Sequence, residues 1–508
     1  MVSITDFSGT LAERIANAVE ALGPGGGEIV FPPGRYRFDH EFTLERKENI
    51  KFFSVDATID GLLSRSYFNI ENCRNITFDG FHFDTRFGDL PRFTKFSQGA
   101  MQTPVRFSES QNLKVIRCKF YRLYTVFIYC HNSSQVEIVN CEFSSLLQDQ
   151  DQYLSFVEFL TCSGTILLQN NFFFGAPTNV NDKSPAAIAA SGISGEMVIA
   201  DNRVQHCGRN NGGSHRLGCF DLYADTVNVT VRNNTALNCR EQFMRISTSV
   251  NVTVQDNFVS MAPEVDSTYS TLSIESGSWP ELANPICRNI VIIGNSFRCT
   301  DNRQAFAVGV ISYDWGAAAE NIRIEANAIE GYDRAILIAG PFQDLTITGN
   351  RVADVHSFID VMQSGNVTIT SVLGTERLSS FDGLVVEEND ISIRSTSKSV
   401  PVSFSIGQNR HFLGSIGKFT FLRNRLSNRG SSTAFAVSCL FNSDRVQGIF
   451  EAYENIFRGY AVPFYLRSIK RAVVRENFAD GMTNLYLTDG TVQSLELLGN
   501  QKLVDGPP

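Results

Sequence analysis

The chain has 508 residues, of which 19% are charged, and 44 Lys and Arg against 53 Asp and Glu leave a net charge of −9. The two signs are interspersed, with no basic cluster or Arg-rich stripe, so nucleic acid is not an expected partner. No apolar run is long enough to span a bilayer, so no membrane association is expected either. Eleven cysteines occur without a C-x-x-C pair. Several of them (Cys118, Cys130, Cys219, Cys239, Cys439) fall at strand positions where a small apolar residue would pack. They read as reduced core thiols rather than as a disulfide framework or a metal site, and no cofactor is expected.

The N-terminus, MVSITDFSGTLAER, has no basic segment followed by an apolar one. The expected setting is the cytoplasm or a phage particle, or the extracellular medium for a chain trimmed of its signal. Residues 8–22 (SGTLAERIANAVEAL) form the one convincing amphipathic helix, with Leu11, Ile15, Val19 and Leu22 on one stripe and Ser8 or Thr10 as N-cap. A Gly-rich turn then leads into a strand, Pro-Pro-Gly and a second strand (GPGGGEIVFPPGRYRF, 23–38).

From there one local pattern returns along the chain: β-branched and polar residues in alternation, then Asn, then an apolar residue. It stands at Asn140, Asn171, Asn202, Asn234, Asn257, Asn295, Asn327, Asn350, Asn389, Asn424, Asn455, Asn477 and Asn500. The shortest intervals are 22 to 23 residues and others run to 31–39, so some coils carry insertions on a bare unit. A unit of that size built of short alternating strands suits one rung of a parallel β-helix, whose coils bury their inner faces against one another. The 40 Phe suit stacked aromatic rows inside such a solenoid. Asn tolerates left-handed corners and stacked Asn side chains can bond from rung to rung, so the ladder is assigned a structural role. A solenoid grows along one axis and escapes the size limit of a globular core. The expected organisation is therefore a capping segment at 1–25 and a single parallel β-helix domain over 26–508.

The run IANAVEAL followed by GGEIVFPPGRY resembles the N-terminal lead-in of the pectate-lyase-like superfamily, in which an AIQxAIxxA-like helix enters GGxVxxPxGxY. The motif covers about 30 residues, and the remainder is similar in repeat style. The superfamily includes polygalacturonase-type hydrolases and phage tailspike depolymerases. The resemblance implies an all-β right-handed parallel β-helix and a polysaccharide or oligosaccharide substrate, and homotrimers are common among the tailspike-like members. The polygalacturonase pattern (Asn-x-Asp, Asp-Asp, Gly-His-Gly, Arg-x-Lys) is absent. So are the Lys and Arg signature of chondroitinase B-like lyases and the Asp-Pro-His of alginate epimerases, and no reaction carries over by motif.

A second strand in each coil can be aligned on its apolar residues, from FIYCH (127–131) through FVEFL, AIAAS, FDLYAD, FMRIS, LSIES, VGVIS and ILIAG to FIDVM (358–362). Alternation turns Ile128, Val157, Ile188, Leu222, Ile246, Ile274, Val310, Ile338 and Val361 inward. Outward columns then hold Tyr129, Glu158, Asp221, Arg245 and Asp360, and, displaced by two residues, His131, Tyr223, Ser247 and Glu275. Rungs stack about 4.8 Å apart, which places Asp221 about one rung from Arg245 and about two, on the order of 10 Å, from Glu158 and Glu275.

Insertions at 84–104, 145–155, 174–185, 205–218 and 261–270 precede these strands and can wall a groove over the central coils. One carries His206, Arg209, His215 and Arg216. Trp279 and Trp315, the two tryptophans, follow outward strand ends where an indole can stack on a sugar.

Two carboxyls separated by roughly 6.5–9.5 Å suit an inverting glycosidase, in which one acid protonates the leaving oxygen and the other activates water. Asp221 is the first candidate, with Glu158 or Glu275 as its partner. The expected sugar-binding residues are Arg245, Tyr223, Tyr129, His131, His215, Arg216, Trp279 and Asp360. The alternatives are a lyase acting on a uronate, with Arg245 neutralising the carboxylate and Tyr129, Tyr223 or His131 as base, and a carbohydrate-binding adhesin without turnover. A lone outward carboxylate on a solenoid is ordinarily a solvated charge, and Asp221 with Arg245 also reads as a rung-to-rung salt bridge.

Overall fold

The computed structural model describes residues 1–61, 66–84, 103–121, 126–144, 155–175, 185–208, 218–261, 267–277, 286–300, 304–312, 318–362, 380–394, 400–406, 415–428, 435–440, 447–480, 484–488 and 492–502. They fall into two compact units, Met1–Met244 and Arg245–Pro508. Within each unit the strands form three ladders whose pairs are parallel among the described residues, which is the architecture of a right-handed parallel β-helix.

In the first unit each coil contributes one strand to each ladder. Ser134–Val139, Glu142–Ser144 and Ser155–Leu160 make one turn, and Ser163–Gln169, Phe172–Phe174 and Ala186–Ser191 the next. Alternation builds the core. Leu113, Val136, Ile166, Met197 and Val229 lie in one register column, with Val115, Ile138, Leu168, Ile199 and Val231 in another, all buried. On the shortest ladder Phe83, Phe120, Phe143 and Phe173 stack face to face at 4.8, 5.0 and 4.8 Å. That is the rung spacing itself, so each ring meets its copy in the next coil.

The corner after the first ladder explains the repeated asparagine and corrects one member of it. The left-handed residue is Arg117, Asn140, Asn170, Asp201 or Asn233, and the ladder residue is the one that follows. Asn140 is therefore a corner residue, and Cys141 occupies the ladder position of that coil. Asn171 Oδ1 accepts from the Cys141 amide at 2.9 Å. Asn202 Oδ1 accepts from the Asn171 amide and side-chain amide at 2.9 and 3.0 Å, and Asn234 does the same for Asn202. Each side-chain NH2 also reaches a strand carbonyl of an adjoining coil, Ile138, Leu168 and Ile199 in turn. These side chains are buried, and the ladder fills hydrogen-bonding groups that would otherwise be costly. In the earlier coils a thiol substitutes, with Cys118 Sγ on Phe78 O and Cys141 Sγ on Val115 O. All eleven cysteines are buried and free of disulfides, as expected of core thiols.

The second unit repeats the plan. Its ladder runs Asn257, Asn295, Asn327, Asn350, Asn389, Asn424, Asn455, Asn477, Asn500 with the same double acceptance at each step. Ile274, Val310, Ile338 and Val361 stack inward as expected.

The helix spans Leu11–Leu22. Thr10, not Ser8, caps it through a reciprocal box: Thr10 Oγ1 accepts from the Glu13 amide and Glu13 returns a bond to the Thr10 amide at 2.8 Å. Leu11, Ile15, Ala18 and Val19 are buried and the helix packs on the first strands, Gly27–Phe31, Gly34–Phe38 and Phe42–Glu45. This covers an edge that would otherwise be open to pairing. No described helix is long and apolar enough to cross a membrane.

Candidate active site

The third ladder of the first unit runs through Phe42–Glu45, Phe68–Glu71, Val105–Ser108, Ile128–His131, Ser155–Leu160, Ala186–Ser191 and Phe220–Tyr223. Its inward side chains are apolar. Its register makes one outward column of Thr43, Asn69, Arg106, Tyr129, Glu158, Ala189 and Asp221. A neighbouring column, two residues on, holds Glu45, Glu71, Ser108, His131, Leu160, Ser191 and Tyr223.

One alignment differs from expectation. The sequence places Leu222 opposite Ile188, whereas Phe220 pairs with Ile188, Asp221 with Ala189 and Leu222 with Ala190. The run AAIAAS is entirely buried and small, so hydrophobicity alone does not fix which of its residues faces a larger partner. Asp221 still faces outward, two rungs from Glu158, and the residue between them is an alanine. Ala189, itself buried, is the one side chain that the register sets between the two carboxyls.

The two carboxyls influence one another electrostatically. Asp221 has no exposed surface, and its charge therefore acts through poorly screening surroundings. Burial pushes the Glu158 carboxyl up to about 7, and the negative charge of Asp221 adds to this, while a 3.4 Å bond donated by Ser155 Oγ opposes it. Near neutrality Glu158 thus holds a proton for a substantial part of the time. Such a pair, with one carboxyl kept protonated beside a second, is the arrangement that general acid and base chemistry requires.

Tyr129 lies next to Glu158 in the column. Its phenol is pushed up to about 12, first by burial and then by the Glu158 charge, with Arg106 opposing. It remains protonated at neutral pH and suits hydrogen bonding rather than proton abstraction. The Arg106 guanidinium sits 6.0 Å from the Tyr129 ring centre, and the rings of Tyr129 and His131 lie 6.3 Å apart and within 12° of parallel. His131 and Tyr223 share the second column with Leu160 and Ser191 between them. Arg106 and Asn69 were not singled out from sequence, because the alignment of second strands began at residue 127. The same pattern is nevertheless readable in FNIE (68–71) and VRFS (105–108).

Three further candidates lie in the second unit. Arg245 begins it, on Met244–Ser247, and is buried. Glu275 is buried on Ser267–Ser276, where it accepts from Ser273 Oγ at 2.9 Å. It pairs in register with Ile311 and, beyond that, Ala339, so no second carboxylate follows it in its column there. Asp360 is held by Arg334 at 2.6 Å, part of a cluster in which Asp333 also binds His356 at 2.8 Å. Its carboxylate is already committed to an ion pair. His215, Arg216 and Trp279, with Arg209 and Trp315, lie outside the described residues. Among the described residues no group of three His, Cys, Asp or Glu side chains forms a metal site.

Comparison with known proteins agrees with this architecture. Residues 103–271 match the family described as "Right handed beta helix region". No curated protein matches the chain. Among solved structures, a mutant tailspike protein of E. coli bacteriophage HK620 in complex with a pentasaccharide is 13% identical, with a TM-score of 0.53, over 98% of this chain and 78% of that one. An exopolygalacturonase from Thermotoga maritima is 16% identical, with a TM-score of 0.49, over 71% of this chain and 92% of that one. PfbA, a surface adhesin of Streptococcus pneumoniae, is 14% identical, with a TM-score of 0.43, over 98% of this chain and 93% of that one. At such identities the likeness is one of fold.

Proposed function

For a chain with the right-handed parallel β-helix fold of the pectate-lyase-like superfamily, we propose hydrolysis of a glycosidic bond in a polysaccharide or oligosaccharide by Glu158 and Asp221. The observation that carries the reading is the Glu158–Ala189–Asp221 column, in which the Glu158 carboxyl, raised to about 7, and the buried carboxyl of Asp221 stand on either side of an alanine. The HK620 tailspike, a protein of the same fold, is described in complex with a pentasaccharide.

Glu158, protonated, donates to the leaving oxygen. Asp221, ionised, takes a proton from the attacking water. A separation of two rungs, about 10 Å between backbones, is nearer the inverting range of roughly 6.5–9.5 Å than the retaining one of about 5–5.5 Å. Inversion is the outcome this spacing favours. The raised phenol of Tyr129 weighs against a lyase that uses Tyr129 as base, and the ion pair of Asp360 with Arg334 weighs against Asp360 as a sugar ligand.

The test is turnover of a panel of neutral and uronate-containing polysaccharides by wild type, Asp221→Asn and Glu158→Gln, reading reducing ends and enone absorbance together. Hydrolysis predicts new reducing ends without enone, lost in both variants. Enone absorbance overturns it in favour of elimination, and binding without product in favour of an adhesin.

A further inference from the structure

The outward column continues on the other side of Tyr129 into a group of polar side chains that the hydrolytic pair does not use. Asn69 and Arg106 are register partners, Glu71 and Ser108 are their neighbours two residues on, and all four face the same way. Asn69 is 7% and Ser108 8% exposed. Among the described residues, three of the group's atoms are buried without a hydrogen-bond partner: Asn69 Oδ1, Arg106 Nε and Ser108 Oγ. Asn69 spends its NH2 on Glu71, donating at 2.8 Å, and Arg106 lies over the Tyr129 ring.

Buried polar atoms left unpaired are costly, and three in one cluster on an outward face mark a place where a ligand supplies what the protein does not. Their chemistry states what kind. Nε–H only donates, Oδ1 only accepts, and a serine hydroxyl does either. An anion would satisfy the Arg106 donor but would leave Asn69 Oδ1 unfilled and would face the carboxylates of Glu71 and, one rung on, Glu45. A hydroxyl both donates and accepts, and a pair of neighbouring hydroxyls fills Oδ1 and Nε together. Arg106 and Glu71 carry opposite charges on adjacent rungs of the same face, so the group as a whole asks for a neutral partner.

We propose that Asn69, Arg106 and Ser108 form a subsite for an uncharged sugar residue, bound through its ring hydroxyls. Arg106 and Ser108 lie two rungs from Glu158, with the strand of Tyr129 between, and Asn69 lies one rung further. The proposal rests on the carbohydrate reading above and extends it: the chain carries a neutral sugar on the Tyr129 side of the cleaved bond, and the polymer runs along the column. Asn69, Arg106 and Ser108 bind and position; they do not touch the reacting atoms.

The experiment is saturation-transfer NMR with methyl glycosides of glucose, galactose, mannose and rhamnose beside glucuronate and galacturonate, on full-length wild type, Arg106→Met, Asn69→Leu and Ser108→Ala. Neutral glycosides are expected to bind wild type. Each of the three substitutions should weaken them by about three- to tenfold, as expected for one hydrogen bond. Melting temperature identifies any variant that fails to fold, and Ser108→Ala, the mildest change, keeps the test open in that case. Uronates binding more tightly than their neutral counterparts, equal binding by all variants, or no binding by any glycoside each overturns the subsite. Binding here without reducing ends from any polymer removes the hydrolase and leaves the subsite standing. Hydrolysis with KM unchanged in Arg106→Met does the reverse.

Discussion

Glu158 and Asp221 stand two rungs apart on one outward column with only the methyl of Ala189 between them. The spacing comes from the backbone, the small side chain between from Ala189, and the raised Glu158 carboxyl from burial with the Asp221 charge added. Each of these can be changed separately.

Enlarging the side chain between is the most direct change. Ala189→Leu places a branched side chain where water and the scissile bond would lie. Hydrolysis is expected to fall by at least about 100-fold, while overpacking costs about 1–3 kcal/mol. Reducing-end assays beside thermal melts measure the two effects. A variant that folds and retains full activity would remove the reaction from this column.

The Asp221 charge is one cause of the raised Glu158 carboxyl. In Asp221→Asn the Glu158 carboxyl is therefore expected to titrate below about 7, remaining above the ordinary range because burial is the larger cause. NMR titration of 13C-labelled Glu carboxyls, assigned with Glu158→Gln, reads the shift. In wild type, kcat/KM should decline as pH rises through about 7, where the general acid loses its proton.

The same group makes stability depend on pH. Its folded value, about 7, lies above its unfolded one, so its contribution is fully present below the unfolded value and is lost as pH rises through about 7. Between pH 5 and 8 wild type should lose stability relative to Glu158→Gln, by an amount of order 3 kcal/mol at most. Denaturant unfolding of both proteins across that range gives the difference, and parallel profiles would contradict it.

The ladder and the aromatic stack set the cost of breaking a rung. Asn202→Ala removes the acceptor for the Asn171 amide and side chain, leaving buried donors that cost about 1–3 kcal/mol each. Phe143→Ala opens the stack between Phe120 and Phe173, at about 3–5 kcal/mol. Chemical denaturation should show both to be more damaging than Asn140→Ala at the exposed corner. The eleven buried thiols should react with a thiol reagent only on unfolding.

Much of the architecture is readable in the chain because a solenoid repeats its reasons. Thr10 with Glu13, the IANAVEAL stripe, and the recurrence of Asn before an apolar residue each state a local contact that the fold then makes. Where the pattern misleads, it does so by one residue. Asn140 looks like a ladder member because it stands beside Cys141, which does the ladder's work with a thiol. The outward placement of Glu158, Ala189 and Asp221 follows from alternation, but the register of the Asp221 strand does not, since both Phe220 and Leu222 are apolar and suit a place opposite Ile188. The raised Glu158 carboxyl is not legible at all, for burial is a property of what the coils bring near it. Asn69 and Arg106 were within reach of the same alternation applied two coils earlier.

Stacked coils make the distance between outward side chains an integer quantity. A globular active site can slide two carboxyls apart by fractions of an ångström, but here each coil adds about 4.8 Å and nothing in between. The Ala189 coil is the step that sets the separation. Excising one whole turn between Glu158 and Asp221 would bring the pair to adjacent rungs, near the 5–5.5 Å of retaining enzymes. In such a scaffold the stereochemistry of a reaction is counted in turns of the chain, and a duplicated or deleted repeat changes mechanism in one event where point substitutions would only change rate.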